Sequence, residues 1–256
     1  MFMFVSPAAR ALFAATFFWL VLLAHGAAPT DSIAPPLAHE YWAIPNLDYL
    51  LKHLPGPPKK GSFRDRQDAA DAVARQRGVT LDEVQHVQFT YTFSVFTFSE
   101  VLGPSFNARN FPKTAVFFGH LASTAGVAVG ELKDTYKRLR PFEGHPDQIR
   151  LLVRNESGYS YPSGHTTRSR LFAFTLAQLD PSRKAAYFRC AEQVGVDRIL
   201  AGEHYLTDLE GGRTLGKMLF LHLMKDPKFV ADLKALKEAE WMRSPITAAP
   251  SPILKP

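Results

Sequence analysis

A chain of 256 residues suits one domain with a sizeable core rather than two small ones. Its 46% hydrophobic and 21% charged residues are an ordinary globular composition, which argues against wholesale disorder and against a polytopic membrane protein. The net charge of +6 favours anions, but it comes without a Lys/Arg block longer than a pair and without a zinc-finger or aromatic RNA-binding motif, so no nucleic-acid partner is expected.

The first 28 residues carry a single charge, Arg10, ahead of an apolar run from Ala11 to Ala24 and the small residues Gly26, Ala27 and Ala28. This predicts a secretory signal peptide over 1–28, cut after Gly26 or Ala28, because the run falls short of the roughly 20 residues a spanning helix needs. The mature chain is then periplasmic or secreted, has no integral membrane span, and loses one of its six net positive charges with Arg10. Cys190 is the only cysteine, so the exported chain has no internal disulfide; in a helical stretch it reads as a small buried apolar residue.

Residues 29–60 form a Pro-rich lead-in with Pro35-Pro36, Pro45 and Pro55-Gly56-Pro57-Pro58 around one short helix, Asn46 to His53. A helix from Arg64 to Arg77 stops at Gly78, and Thr80 with Glu83 forms a capping box that opens the next. Val87 to Val95 alternates as a strand would, but Val84, Val87, Tyr91, Val95 and Phe98 also recur at steps of three and four, so helix is expected. Pro112 opens a long helix running to about Arg140, where Pro141 stops it; Thr114 to Gly130 lacks formal charge and reads as a core helix rather than a span. After a loop from Phe142 to Tyr161, helices are expected at His165 to Gln178, Pro181 to Val194, Leu206 to Leu223 and Pro227 to Met242, with Asp180-Pro181 and Asp226-Pro227 as openings. The domain is thus 61–242, followed by a loose tail over 243–256, and its architecture is all-α.

Three segments carry chemistry. In Lys133-Asp-Thr-Tyr-Lys-Arg-Leu-Arg140-Pro141, lysine and arginine seven residues apart return to nearly the same helical face, so both can converge on one anion. Lys137 and Arg138 read as part of a solvated basic face. In Tyr161-Pro-Ser163-Gly164-His165-Thr166, at a loop-to-helix boundary, the Ser163 hydroxyl and the Gly164 amide can meet a phosphate at the helix N-terminus, with His165 beside it. In Arg198-Ile-Leu-Ala-Gly-Glu-His204-Tyr-Leu-Thr-Asp208, an aspartate four residues after a histidine lies on the same helical face and can fix one imidazole nitrogen, leaving the other basic. Each segment alone has an ordinary reading: a charged surface, a capping serine, a structural His/Asp pair.

In this order the segments resemble the PAP2 superfamily pattern K-x6-R-P, P-S-G-H and S-R-x5-H-x3-D, matching ten of its eleven specified positions. The departure is Asp197 where the serine is usual; it can keep a local hydrogen bond or pair with Arg198. Over about residues 40–242 the chain is similar to the bacterial class A nonspecific acid phosphatases. The resemblance implies a single-domain helical bundle of the PAP2 and vanadium haloperoxidase type, hydrolysis of small phosphate monoesters at acid pH, and no metal or other cofactor. It further implies His204 as nucleophile through a phosphohistidine, Asp208 as its orienter, and His165 as general acid and base. Lys133, Arg140, Ser163, Gly164 and Arg198 are implied to bind phosphate. A vanadate-dependent haloperoxidase and a lipid-phosphate phosphatase stand as alternatives, and a homo-oligomer stays open. Arg168 and Arg170 read as a solvent-facing pair, His145 receives no role, and His86, His120 and the other histidines outside the motifs read as surface or core residues.

Overall fold

A computed structural model of the chain describes residues 41–154 and 158–242; the expected leader, the lead-in before Tyr41 and the tail lie outside the described residues. Among the described residues there is helix and no strand. Helix α1, Leu47–His53, is capped by the Asn46 side chain, and α2, Phe63–Gln76, by the Ser62 hydroxyl. The Thr80–Glu83 capping box opens α3, Leu81–Tyr91, with both reciprocal bonds made. The helix expected to continue through Val95 and Phe98 instead breaks after Tyr91. Ser94 starts a new cap box with Thr97 over the 3₁₀ turn Val95–Phe98, which leads into the short α4, Ser99–Leu102. A hydroxyl that caps forward competes with continuation of the helix behind it.

Helix α5, Pro112–Tyr136, ends one turn earlier than expected, because Lys137 takes the left-handed conformation at φ 48°. The single-turn α6, Pro141–Gly144, then starts from Arg140 as its N-cap. By length and composition the stretch Pro112–Gly144 could cross a membrane, yet nine residues of α5, from Thr114 to Leu132, are buried in the protein. The remaining helices are α7, Gly164–Leu179; α8, Lys184–Leu200, preceded by a 3₁₀ turn at Pro181–Arg183; α9, Leu206–Leu223; and α10, Pro227–Leu236, which ends in a wider turn at Lys237–Trp241. Helix α8 runs six residues beyond the expected Val194, which places Asp197 and Arg198 in its last turn.

Helix α7 is the central element, packed along α8, α9 and α5. Its contact with α9 is close because α9 presents glycines: a Cβ on Gly212 would lie 2.8 Å from the Ser163 carbonyl oxygen, and one on Gly216 2.6 Å from that of Thr167. The core gathers Phe98, Phe118, Leu121, Leu132, Phe172, Leu176, Tyr187, Leu219 and Phe229. The Pro-rich segment adds Trp42, Leu50 and Leu54 to it, with the Trp42 ring 4.9 Å from Phe117 and 5.0 Å from Phe229. Cys190 sits in this core, and burial pushes its thiol pKa well up.

Candidate active site

The three segments meet where the end of α5, the N-terminus of α7 and the α8–α9 connection come together, and backbone bonds lock them there. The Ser163 amide donates to the Asp208 carbonyl at 3.1 Å, and the Phe142 amide to that of Gly202 at 3.2 Å. The Arg140 guanidinium donates to the Glu203 carbonyl at 3.3 Å and, through Nε, to that of Gly158 at 3.0 Å. The expectation that Lys133 and Arg140 share one helical face is corrected. The left-handed turn at Lys137 ends the helix between them, and Arg140 reaches the site as the buried cap of α6.

His204 is likewise not on a helix. It lies before α9, whose N-cap is Tyr205, and Asp208 is the third residue of that helix, so the pair forms across a helix start rather than along a face. One Asp208 oxygen, Oδ2, stands 3.3 Å from His204 Nδ1 and accepts the Tyr205 amide at 2.9 Å. The other ring nitrogen, Nε2, faces Arg140 Nη1 at 3.4 Å. A guanidinium can only donate and a carboxylate can only accept, so Nδ1 carries the proton and Nε2 the lone pair. Burial, together with Arg140, Lys133 and Arg198, lowers the His204 pKa well below the usual histidine range, so the ring is neutral and basic at Nε2.

Ser163 caps α7. Its Oγ accepts the Thr166 amide at 3.3 Å and the Thr166 hydroxyl at 3.0 Å, so its own proton is the one it can give to an anion in front of the α7 N-terminus. His165, on the first turn and 3% exposed, donates Nε2–H to the Tyr91 carbonyl at 3.0 Å. Burial, Arg198 and Arg168 push its pKa well down. Arg198 is fully buried; it donates to the Val87 carbonyl at 3.1 Å, to Thr90 Oγ1 at 3.4 Å and to Glu203 at 3.4 Å. Lys133 is half-buried and close enough to depress the His204 pKa. All eight expected site residues thus belong to one locus, with the cations and the α7 N-terminus making it strongly electropositive.

Two residues read as unremarkable in the sequence are structural parts of this locus. Arg138, expected on a solvated face, is largely withdrawn from solvent between α2 and α9, its side chain 9% exposed: it donates to Asp208 Oδ1 at 2.7 Å, Asp68 at 2.7 Å, Asp65 at 3.2 Å and the Thr207 hydroxyl at 2.7 Å, and lies 4.2 Å over the Tyr205 ring. Burial raises the Asp208 pKa while Arg138 works to hold it ionised. The sequence signal for this was weak: Asp65 and Asp68 sit at helical spacing on α2, but their partner lies 70 residues on. His86, expected to be an uncommitted surface or core residue, instead bridges Asp197 at 2.8 Å and Glu100 at 2.9 Å. Asp197 also accepts from Thr90 at 2.6 Å and from Gln193, four residues before it, at 3.0 Å; the second is the local hydrogen bond that was one of its two expected alternatives. Arg170, expected to face solvent, is half-buried against the Phe188 ring and 3.7 Å from Glu192. The His145 ring lies edge-on to Tyr205 at 6.4 Å.

Known proteins and a family model are similar to the chain. A family model described as the PAP2 superfamily matches residues 113–230. A non-specific acid phosphatase of Salmonella typhimurium is 30% identical over 186 residues, 70% of this chain and 67% of that protein. An acid phosphatase of Zymomonas mobilis is 30% identical over 226 residues, 85% of this chain and 83% of that protein. A bacterial vanadium-dependent iodoperoxidase superposes with a TM-score of 0.51 at 16% identity, covering 67% of this chain and 52% of that one, a likeness of fold alone.

Proposed function

The chain belongs to the PAP2 superfamily, and on that footing we propose that it is an exported acid phosphatase that hydrolyses small phosphate monoesters through a phosphohistidine. The observation that carries the reading is the pair of partners on His204: Asp208 on Nδ1 and Arg140 at Nε2. The ring's lone pair thereby points to the place where a guanidinium would hold a phosphoryl oxygen.

In the first step His204 Nε2 bonds to phosphorus as the ester oxygen leaves with the bonding pair and takes a proton from His165. In the second, His165 accepts a proton from water, the resulting hydroxide attacks phosphorus, and the bond to Nε2 breaks to release phosphate and neutral His204. Lys133, Arg140, Arg198, the Ser163 hydroxyl and the Gly164 amide would hold the nonbridging oxygens, where fixed cations stabilise the charge spread in the transition state. Asp208 stabilises the positive charge that reaches the ring. Turnover at acid pH is supported by the acid phosphatase relatives, and the lowered pKa values of His165 and His204 are in keeping with it. The acid phosphatase relatives and the leader pattern over 1–28 support the substrate class and export.

The test is turnover of p-nitrophenyl phosphate by wild type and His204→Ala, each with and without a chelator. The expected result is a loss on the order of 10⁴-fold or more in the variant and an unchanged wild type in chelator. Near-normal turnover by His204→Ala, or loss of wild-type activity in chelator, rejects the mechanism.

A further inference from the structure

The departure from the family pattern at Asp197 belongs to an ionic array behind the site, in which Asp197 is buried and His86 and Glu100 are half-buried. Both His86 ring nitrogens stand within hydrogen-bond distance of a carboxylate, Nδ1 at 2.8 Å from Asp197 Oδ2 and Nε2 at 2.9 Å from Glu100 Oε1. Carboxylates accept on both sides, so the ring carries both protons and is an imidazolium clamped between α8 and α4. Its two hydrogen bonds, first to Asp197 and then to Glu100, raise its pKa to about 10. The Cys190 thiol, 3.7 Å from Glu100, and the Gln193 amide, 3.0 Å from Asp197 Oδ1, complete the shell.

This array is wired to the site through the last turn of α3. The Thr90 hydroxyl donates to Asp197 at 2.6 Å and accepts from Arg198 Nη2 at 3.4 Å. The same Nη2 donates to the Val87 carbonyl at 3.1 Å, and His165 donates to the Tyr91 carbonyl at 3.0 Å. Val87, Thr90 and Tyr91 therefore fix both a phosphate-binding cation and the proton-transferring histidine, and the helix that carries them is tied to α8 by His86 and Asp197. The negative end of the α3 dipole also faces Arg198 and His165.

We propose that Asp197 is a positioning residue: acting through Thr90 and with His86 and Glu100 as its charged partners, it sets α3 so that Arg198 and His165 are aligned on the phosphoryl group. The proposal rests on the phosphatase reading for the roles of Arg198 and His165. A serine at 197 could replace the bond to Thr90 but not the countercharge of His86, so the aspartate and His86 act as a unit.

The experiment compares Asp197→Asn, Asp197→Ser, His86→Gln, Glu100→Gln and the double variant D197N/H86Q. Each is read by the melting temperature, by kcat and KM for p-nitrophenyl phosphate, and by the inhibition constant of inorganic phosphate. The expected result is a rise of about threefold to thirtyfold in KM and in the phosphate inhibition constant for the single variants at 197 and 86. The double variant should fall short of the product of the two, because both act through one network. A purely structural array would lower the melting temperature and leave the phosphate inhibition constant at the wild-type value, and that result overturns the proposal. If Asp197→Asn does not fold, His86→Gln and Glu100→Gln carry the same test from the outer end of the array. A wild-type chain that neither hydrolyses the ester nor binds phosphate removes the phosphatase reading and this one with it. An active wild type with unaltered phosphate binding in the variants removes this one alone.

Discussion

Replacing Arg138 by leucine takes away the cation that holds Asp208 and Asp68 at 2.7 Å each and Asp65 at 3.2 Å. Asp68 and Asp208 are 1% and 0% exposed, so two buried carboxylates lose their shared countercharge. Removing one partner of a buried ion pair costs about 3–5 kcal/mol. The second carboxylate does not double that loss, because burial already raises the Asp208 pKa and Asp208 can take up a proton once Arg138 is gone. Asp65 keeps 27% of its side chain in solvent and adds little. In urea the midpoint should fall by the equivalent of about 3–5 kcal/mol with an unchanged slope. The R138L/D68N double variant should recover part of that loss by deleting one stranded charge. A protonated Asp208 also stabilises the His204 ring less as it gains positive charge, so kcat should drop roughly 30- to 100-fold, the equivalent of 2–3 kcal/mol. A stability loss below about 1 kcal/mol, the level of an exposed pair, together with a wild-type kcat, would refute this account of Arg138.

Gly216→Ala should lower the melting temperature by about 3–10 °C, because its Cβ would meet the Thr167 carbonyl oxygen at 2.6 Å. Gly126→Ala on α5, with nothing within 4 Å of the added carbon, should be neutral or stabilising in the same melt. His86 has a folded-state pKa raised from 6.5 to about 10, so its contribution is fully present below pH 6.5 and is lost as the pH rises through 10. Reduced for the solvent screening of a half-buried group, this amounts to about 2 kcal/mol, and chemical denaturation from pH 6 to 10 should show the decline in wild type but not in His86→Gln. Cys190 should resist iodoacetamide in the native protein and react once urea unfolds it; rapid native alkylation would contradict its burial.

Much of the fold was legible because its signals are local. Caps at Asn46, Thr80 and Ser163, and prolines at the first turns of α5 and α10, act within a few residues, so the helix starts followed from the chain itself. Helix ends were read less well. The end of α5 depends on a left-handed lysine that no glycine announces, and α8 continues past Val194 because packing against α3 and α7 outweighs a weak local preference.

For the site, the order and spacing of Lys133, Arg140, Ser163, Gly164, His165, Arg198, His204 and Asp208 carried the family likeness and the residue set, since that pattern spans only chemistry-bearing positions. Which nitrogen of His204 bears the lone pair, and that Arg140 faces it, depended on backbone turns at Lys137 and Gly202 that no spacing encodes. Arg138 and His86 were invisible because Arg138 meets Asp68 and Asp208 across 70 residues and His86 meets Asp197 across 111, and only the tertiary packing makes a charge's surroundings buried or wet. The amino-acid sequence by itself determined the helices' beginnings and the chemical groups of the site; the folded structure alone decided their tautomers, their counter-ions and what holds them in place, because burial and long-range electrostatics are properties of three dimensions.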